Sequence, residues 1–187
     1  MSVSKVDGIG TRKDGTGGED ANLSQGNKRI IRMIGFCADS GSSVTYTKGD
    51  TVALQLSTAT VNGSNVIEKN GAANVIKLAT DLTETAPVGI VTETVTATIS
   101  GTTGTTVIVP VQISGVFASA NVATNSAIGE ILFCTATDGR ISGHTAASLT
   151  AIVDVHKPVA ICLGTSNGTA AAASNLSDVL LLNPMDY

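Results

Sequence analysis

The stretch TVTATISGTTGTTVIVPVQIS, residues Thr94–Ser114, sets the fold class because two strand-like runs flank a short turn. Valine, isoleucine and threonine dominate both runs, and these residues are stiff at χ1 and typical of strands. The turn Ser100–Gly104 between them predicts a β-hairpin. Pro110 in the second run has no N–H to donate, so we expect this arm to lie at a sheet edge or to carry a bulge.

Similar short runs, separated by turn residues, occur along the rest of the body. They are Lys28–Cys37, Val44–Thr47, Thr51–Leu56, Val75–Ala79, Val88–Thr92, Ile128–Ala136, Ile152–Val155, Pro158–Leu163 and Asp178–Leu182. The alternation in Thr51–Leu56 predicts a half-buried strand, and Asp138-Gly139 predicts the turn of a second hairpin. About ten short strands without a long amphipathic helix predict an all-β fold, a small antiparallel barrel or sandwich.

The first 27 residues differ from this body because they are rich in Gly, Ser, Asp, Asn and Lys and show no apolar period. Such a segment buries too little surface to offset its ordering entropy, so alone it is expected to be disordered. We interpret residues 1–27 as an extended arm that orders against a neighbouring subunit; a frayed terminus is the alternative. Residues 28–187 form the body, with a sub-boundary considered near residues 80–86.

Charged residues are scarce, at 14% of the 187 residues, and the net charge is −4 with an isoelectric point near 5.0. A nucleic acid partner calls for a basic face, so nucleic acid binding is not expected. A free monomer with few charges and a mean hydropathy of +0.28 would be at risk of association. The composition therefore favours a chain whose surface is covered in a permanent assembly.

The chain shows no signal for secretion or for a membrane span. The N-terminus has no apolar signal region, and no stretch approaches the roughly 20 apolar residues of a spanning helix. Cys37, Cys134 and Cys162 are odd in number and far apart, which favours buried free thiols in a reducing cytoplasm. No C-x-x-C spacing points to zinc.

Catalytic patterns are weak in this sequence. Gly164–Gly168 matches the G-x-S-x-G nucleophile elbow, but a poor helix former follows it, and His144 and His156 both precede it. The acidic residues form no acid/base pair, and no phosphate-binding or dinucleotide fingerprint is present. We therefore predict that the chain is not an enzyme and uses no cofactor or metal.

The candidate partner-binding residues are basic. Lys28, Arg29 and Arg32 form the one basic cluster, which is either the solvated start of a strand or an anchor for an acidic neighbour. The arm adds further cations. The predicted partner-binding set is Lys5, Arg12, Lys13, Lys28, Arg29 and Arg32.

Three features in roughly the second half of the chain carry a family resemblance. They are Ala86–Val91 leading into the Thr-rich hairpin and Val111–Phe117; Ile128–Leu132 followed by Asp138–Ile141; and Pro158–Leu163 with the terminal Asp178–Leu182. On these motifs the chain resembles the tailed-phage capsid decoration proteins, also called head-stabilising or cement proteins. The arm and residues 28–80 do not contribute to the resemblance.

The resemblance implies a small barrel on the outer surface of a capsid, with the major capsid protein as partner and no catalytic residues. It also implies a homo-oligomer, with a trimer favoured over a dimer, made in the host cytoplasm and placed on the virion. Two other functions remain open: a self-assembling tail, fibre or surface-layer subunit, and a carbohydrate-binding module. The last needs exposed aromatic platforms, and only five aromatic residues are present.

Overall fold

The computed structural model describes residues 28–80, 86–122, 126–135, 137–143, 157–164 and 176–182. Within these residues the chain forms thirteen strands, one helix (α1, Val66–Asn70) and a 3-10 turn at Ala72–Asn74. The strands are β1 (Arg29–Phe36), β2 (Val44–Tyr46), β3 (Thr51–Leu54), β4 (Thr60–Val61), β5 (Ser64–Asn65), β6 (Ile76–Leu78), β7 (Pro87–Val91), β8 (Val95–Ala97), β9 (Thr106–Asn121), β10 (Ile131–Cys134), β11 (Ile141–Gly143), β12 (Ala160–Cys162) and β13 (Leu176–Leu182). The all-β prediction is confirmed: the strands pair antiparallel in a sandwich-like fold.

Strand β9 organises the main sheet because it is 16 residues long and pairs with three other strands. Its first half, Thr106–Ser114, pairs with β1, and its second half, Ser114–Asn121, pairs with β13. Strand β7 pairs with its middle, at Val111 and Gln112. An extended chain of this length spans about 50 Å, so β9 links strands from both ends of the body.

The main sheet runs in the order β11-β10-β12-β13-β9-β7-β3-β6, and β1 also pairs with β9. Strands from both sides of residues 80–86 therefore lie in one sheet, since β3 pairs with β7. Two small sheets, β2-β8 and β4-β5, complete the described pairing.

Strand β9 contains an irregular segment that a buried side chain stabilises. Gly115 has φ +83°, which a residue with a side chain rarely adopts, so the ladder bends there. Gln112 is 1% exposed, and its Nε2 donates to the carbonyls of Ser114 at 3.0 Å and Val116 at 2.9 Å. These two hydrogen bonds span Gly115 and give the buried amide of Gln112 its partners.

Two main hydrophobic clusters lie along β9. The first packs around its first half with strands from the N-terminal part of the body. The second packs around its second half with the C-terminal strands and also includes Ala53, Ala79 and Ile90. Val109, Val111 and Ile113 belong to the first cluster, whereas Phe117 and Ala120 belong to the second. Small aliphatic side chains fill both clusters, as the scarcity of aromatic residues implied.

The predicted hairpin Thr94–Ser114 is wrong in its pairing. The turn forms, because Ser100 and Thr103 exchange backbone hydrogen bonds of 2.9 and 3.0 Å, but β8 pairs with β2 rather than with β9. Both sides of β9 are taken by strands from elsewhere: β1 pairs along its first half and β7 along its middle. The local sequence pattern showed two strands and a turn but not the competition from β1.

The edge position predicted for Pro110 is also wrong, because β9 is an interior strand. Pro110 lies opposite Arg32 of β1 and uses its carbonyl, which accepts the N–H and the hydroxyl of Thr92 at 2.9 and 3.2 Å. Bulges do occur near it, at the register shift between Arg29 and Ile30 and at Gly115. The missing N–H is tolerated because β7 begins to pair only at Val111.

Strand β3 was predicted to be half-buried, and it is buried on both faces. Thr51, Val52 and Ala53 are each 0% exposed, whereas Leu56, just after the strand, is 62% exposed. Val52 packs into one of the two main hydrophobic clusters and Ala53 into the other, so both faces of β3 meet apolar surroundings. Alternation of Val and Leu with Thr and Ala cannot distinguish these two environments.

The second predicted hairpin is confirmed: β10 and β11 pair with Leu132 opposite Gly143 and Cys134 opposite Ile141. The polar stretch after Val61 contains α1, which the sequence did not predict. Asn65 caps this helix, since its Oδ1 accepts the N–H of Ile67 at 3.0 Å. The predicted strand Ile152–Val155 and the arm 1–27 lie outside the described residues.

We predict that Gln112→Met destabilises the fold by about 1–3 kcal/mol, because the two hydrogen bonds to the carbonyls of Ser114 and Val116 are lost while the side-chain volume is retained. Urea unfolding followed by circular dichroism measures this change. Thr106→Ser, at an exposed position of the same strand, is the control and should change the free energy of unfolding by less than about 0.5 kcal/mol. An equally small effect for Gln112→Met would contradict this role.

Candidate interaction surfaces

The predicted partner-binding residues that the structure describes lie at the start of β1. Lys28, Arg29 and Arg32 are all exposed, and no described carboxylate forms an ion pair with them. Lys5, Arg12 and Lys13 lie outside the described residues. The structure thus brings three of the six predicted cations together on one strand.

Apolar side chains accompany Arg32 on the same face. Ile30 and Arg32 are two positions apart on β1 and point the same way, and Arg32 lies opposite Pro110 of β9. Arg29, next to Ile30 on the strand, points to the opposite face. Ile30 is 47% exposed, and Ile108 of β9 is 57% exposed. We call Lys28, Ile30, Arg32, Ile108 and Pro110 the cationic face.

A second apolar surface crosses the C-terminal strands. Val116 of β9 lies opposite Leu180 of β13, Leu180 opposite Ile161 of β12, and Ile161 opposite Ile131 of β10. Directly opposed residues of neighbouring strands point to the same face. Their neighbours in sequence are buried except Glu130, which is half-buried, so this row of four aliphatic side chains faces outward. Val116, Ile161 and Leu180 are half-buried. Ile131 is 48% exposed.

One carboxylate and two exposed aliphatic residues border this row. Leu163 donates its N–H to the carbonyl of Asp178 at 2.8 Å, and the Asp178 carboxylate accepts the N–H of Ser119 at 3.1 Å. Leu163 and Ile128 are 41% and 65% exposed. We call Val116, Ile128, Ile131, Ile161, Leu163, Asp178 and Leu180 the anionic face.

Glu130 does not belong to this face, although it is next to Ile131. A Cβ on Gly143 would overlap its carboxylate, and Gly143 lies opposite the buried Leu132, so Glu130 lies on the other side of β10. There its carboxylate accepts the N–H of Ala127 at 2.7 Å.

Asp39 is a structural carboxylate in the loop after β1. It accepts the N–H groups of Asn62 at 2.8 Å, Gly63 at 2.9 Å and Gly104 at 2.7 Å. The hydrogen bonds from Gly63 and Gly104, followed by that from Asn62, lower its pKa from the ordinary value of 3.8. A Cβ on Gly104 would overlap the carbonyl oxygen of Cys37, so this approach requires glycine.

Asp50 differs from Asp39 because its carboxyl group is buried: the residue is 7% exposed. Its carboxylate accepts the N–H of Thr47 at 2.9 Å and the Nδ2 of Asn121 at 3.1 Å. Burial raises its pKa above 3.8, against the hydrogen bonds from Asn121 and Thr47 and the nearby Arg140, which lower it. The Asp50 carboxylate joins the turn before β3 to the end of β9 and therefore has a structural role.

The described residues contain no cluster of three or more histidine, cysteine or acidic side chains that could hold a metal. Cys37, Cys134 and Cys162 are buried free thiols, as predicted. His144, His156 and Ser166 of the G-x-S-x-G match lie outside the described residues. No helix in the described part is long and apolar enough to span a membrane.

A cleft of about 270 Å³ lies between α1 and the start of β9. It is lined by Val61, Asn62, Val66, Lys69, Asn70, Gly104, Thr105 and Thr106. The side-chain amide of Asn70 already donates to the carbonyl of Val66 at 2.8 Å, and the Thr105 hydroxyl to that of Thr98 at 2.7 Å. Lys69 is the one titratable group in the lining, so the cleft brings no acid and base together.

The described aromatic residues provide no sugar-stacking platform. Tyr46, Phe117 and Phe133 are 1%, 4% and 8% exposed, and Phe36 is half-buried. Tyr46 is held inside the fold, where its hydroxyl accepts the N–H of Phe36 at 2.9 Å, and burial raises its pKa to about 12. Tyr187 lies outside the described residues.

Comparison with protein-family models, curated proteins and solved structures found no match to this chain.

The sequence analysis identified the cationic face but missed the anionic one. Its row is built from four strands whose order in the sheet is not the order in the chain. The available signal was the run Val179–Leu182 of β13, which is apolar at four consecutive positions. A strand that is apolar at almost every position indicates that both of its faces meet apolar surroundings.

We predict that Asp39 and Asp50 titrate on opposite sides of pH 3.8, which carboxyl carbon NMR measures directly. The free energy of unfolding then rises with pH through the Asp39 titration, because its folded-state pKa is lowered. It falls as pH rises from 3.8 through the Asp50 titration, because that pKa is raised. Each residue is the control for the other, and a shared titration midpoint would be inconsistent with these environments.

Proposed function

We propose that this chain is a structural virion protein that binds the outer surface of a phage capsid and stabilises it. The observation that carries the proposal is the anionic face, where four strands present a row of aliphatic side chains outward. Exposed apolar surface of this kind marks an interaction site rather than a solvated one. The motifs of the second half, which resemble those of capsid decoration proteins, support the capsid as the partner.

The low fraction of charged residues supports a surface that partner molecules cover. Charged residues make up 14% of the chain, against about 25% in an average soluble domain. The carboxylates of Asp39 and Asp50 serve loop and junction hydrogen bonds, so neither is available for chemistry. An assembly subunit needs a stable platform and adhesive faces, and the packed strands with their exposed aliphatic side chains support this reading.

The arm, residues 1–27, completes the proposal as a contact to neighbouring subunits. Lys5, Arg12 and Lys13 lie in this arm, and Lys28, Arg29 and Arg32 follow it on β1. An extended arm reaches about 3.3 Å per residue, which is enough to cross from one subunit to the next. Many weak attachments on one lattice add up to tight binding through multivalency.

Deleting residues 1–27 is predicted to reduce the number of chains bound per capsid while leaving the melting temperature of the body unchanged. The measurement is co-sedimentation with undecorated capsids of the phage that encodes the chain. A full-length variant with Lys5, Arg12 and Lys13 changed to glutamine separates the effect of arm charge from that of arm length. Full occupancy by the deleted chain would refute the role of the arm.

The stoichiometry on purified particles tests the proposed function itself. A copy number on the scale of the whole capsid lattice supports decoration. A copy number on the scale of one tail or fibre supports a tail or fibre subunit, and absence from the particle refutes a virion role. Specific binding to an array of glycans would favour the carbohydrate-binding module.

A further inference from the structure

Two asparagines of the described chain are each followed by glycine, and the fold places them in different surroundings. Asn62 and Gly63 form the turn between β4 and β5. Their φ angles are +50° and +70°, as expected for a two-residue hairpin turn. Asn70 is the last residue of α1, and Gly71 follows it. The two dipeptides are chemically identical, so their surroundings decide how each one reacts.

The turn at Asn62 and Gly63 is open to solvent. Both residues are exposed, and a Cβ on Gly63 would meet no atom within 4 Å. The side-chain amide of Asn62 has no hydrogen-bond partner among the described residues. Once the turn opens, this side chain can therefore turn toward the backbone nitrogen of Gly63 without leaving another contact.

Asn70 differs because its side chain and the nitrogen that follows it are both engaged. Its Nδ2 donates to the carbonyl of Val66 at 2.8 Å, and the N–H of Gly71 donates to the carbonyl of Ile67 at 2.7 Å. Asn70 is also half-buried. A reaction at Asn70 thus requires the end of α1 to open and the side chain to give up its own hydrogen bond.

We infer that Asn62 is a self-modification site, at which the chain converts this asparagine to aspartate or isoaspartate. The Gly63 nitrogen attacks the side-chain carbonyl carbon of Asn62, and glycine suits this step because no side chain hinders it. A bond forms between these two atoms, the bond from that carbon to Nδ2 breaks, and ammonia leaves with the proton of the Gly63 N–H. Water then opens the resulting cyclic imide at one of its two carbonyls, with no oxidation or reduction.

The Asp39 carboxylate is the positioning group that restrains this reaction. It accepts the N–H of Asn62 at 2.8 Å and that of Gly63 at 2.9 Å. The second hydrogen bond holds the attacking nitrogen, and the negative charge beside it opposes the loss of its proton. The same hydrogen bonds keep the carboxyl ionised, because they lower its pKa. The turn must therefore leave Asp39 before Asn62 reacts.

The modification loosens a corner at which three segments of the chain meet. Asp39 also accepts the N–H of Gly104, just before β9, at 2.7 Å, and its own N–H donates to the carbonyl of Thr60 at 2.8 Å. Isoaspartate adds a methylene to the main chain of the turn, so the N–H groups of residues 62 and 63 no longer fit one carboxylate together. Either product also adds a negative charge close to Asp39.

This inference does not depend on the proposed capsid role, and its test uses the purified full-length chain without capsids. The chain is incubated at neutral pH, and peptide mass spectrometry follows the loss of ammonia at each asparagine. The folded chain should react faster at Asn62 than at Asn70, whereas in urea the two rates should agree. A folded chain that reacts at Asn70 first, or at neither residue while the urea sample reacts, would overturn the inference.

Neutralising the restraining carboxylate gives the sharper test. Asp39→Asn should raise the rate at Asn62 about tenfold, because the Gly63 N–H loses its bond to a charged acceptor. Asn70 reports general unfolding within the same molecule, so its rate should stay constant. Asp178→Asn, which neutralises an exposed carboxylate elsewhere, is the matched control and should change neither rate. Equal acceleration at both asparagines, or none at Asn62, would overturn the role of Asp39.

An unreactive turn tests the effect of the modification on the fold. Asn62→Gly keeps a dipeptide that suits this turn type but has no side-chain amide to attack. After incubation, the melting temperature of the unsubstituted chain should fall, whereas that of the Asn62→Gly chain should fall less, since the corner at Asp39 stays intact. An equal fall in the two chains would contradict the predicted loosening of this corner.

Discussion

The two hydrogen bonds that the buried Gln112 side chain donates to the carbonyls of Ser114 and Val116 hold the irregular segment of β9. On one side of this segment β9 pairs with β1, and on the other it pairs with β13. A regular strand of this length would carry a single alternation of inward and outward residues from end to end. The segment at Gly115 allows each half of β9 to set its own alternation.

This constraint connects the fold to the two faces. The first half of β9 contributes Ile108 and Pro110 to the cationic face, and the second half contributes Val116 to the anionic face. The clusters behind them are filled by small aliphatic side chains, so both faces rest on packed strands rather than on loops. Surfaces on rigid elements lose little conformational entropy on binding.

Much of the fold could be predicted from the sequence because strands and turns are local features. The turn at Ser100–Thr103, the β10–β11 hairpin and the buried thiols all follow from residue types at short range. The pairing of β8 with β2 could not be predicted, because it depends on β1, which is far from β8 in sequence. The cationic face lies on one strand and its partner and was found as a run of basic residues. The anionic face needs the order of four strands and was therefore missed.

The central claim is that the outward aliphatic row of the anionic face binds the capsid surface, and co-sedimentation with undecorated capsids tests it most directly. The account predicts that Ile131→Ser lowers the number of chains bound per capsid, because Ile131 belongs to the row and is 48% exposed. Leu56→Ser, at a position that is 62% exposed and lies on neither face, should leave that number unchanged. Full occupancy by the Ile131→Ser chain, with its circular dichroism spectrum unchanged, would contradict the account.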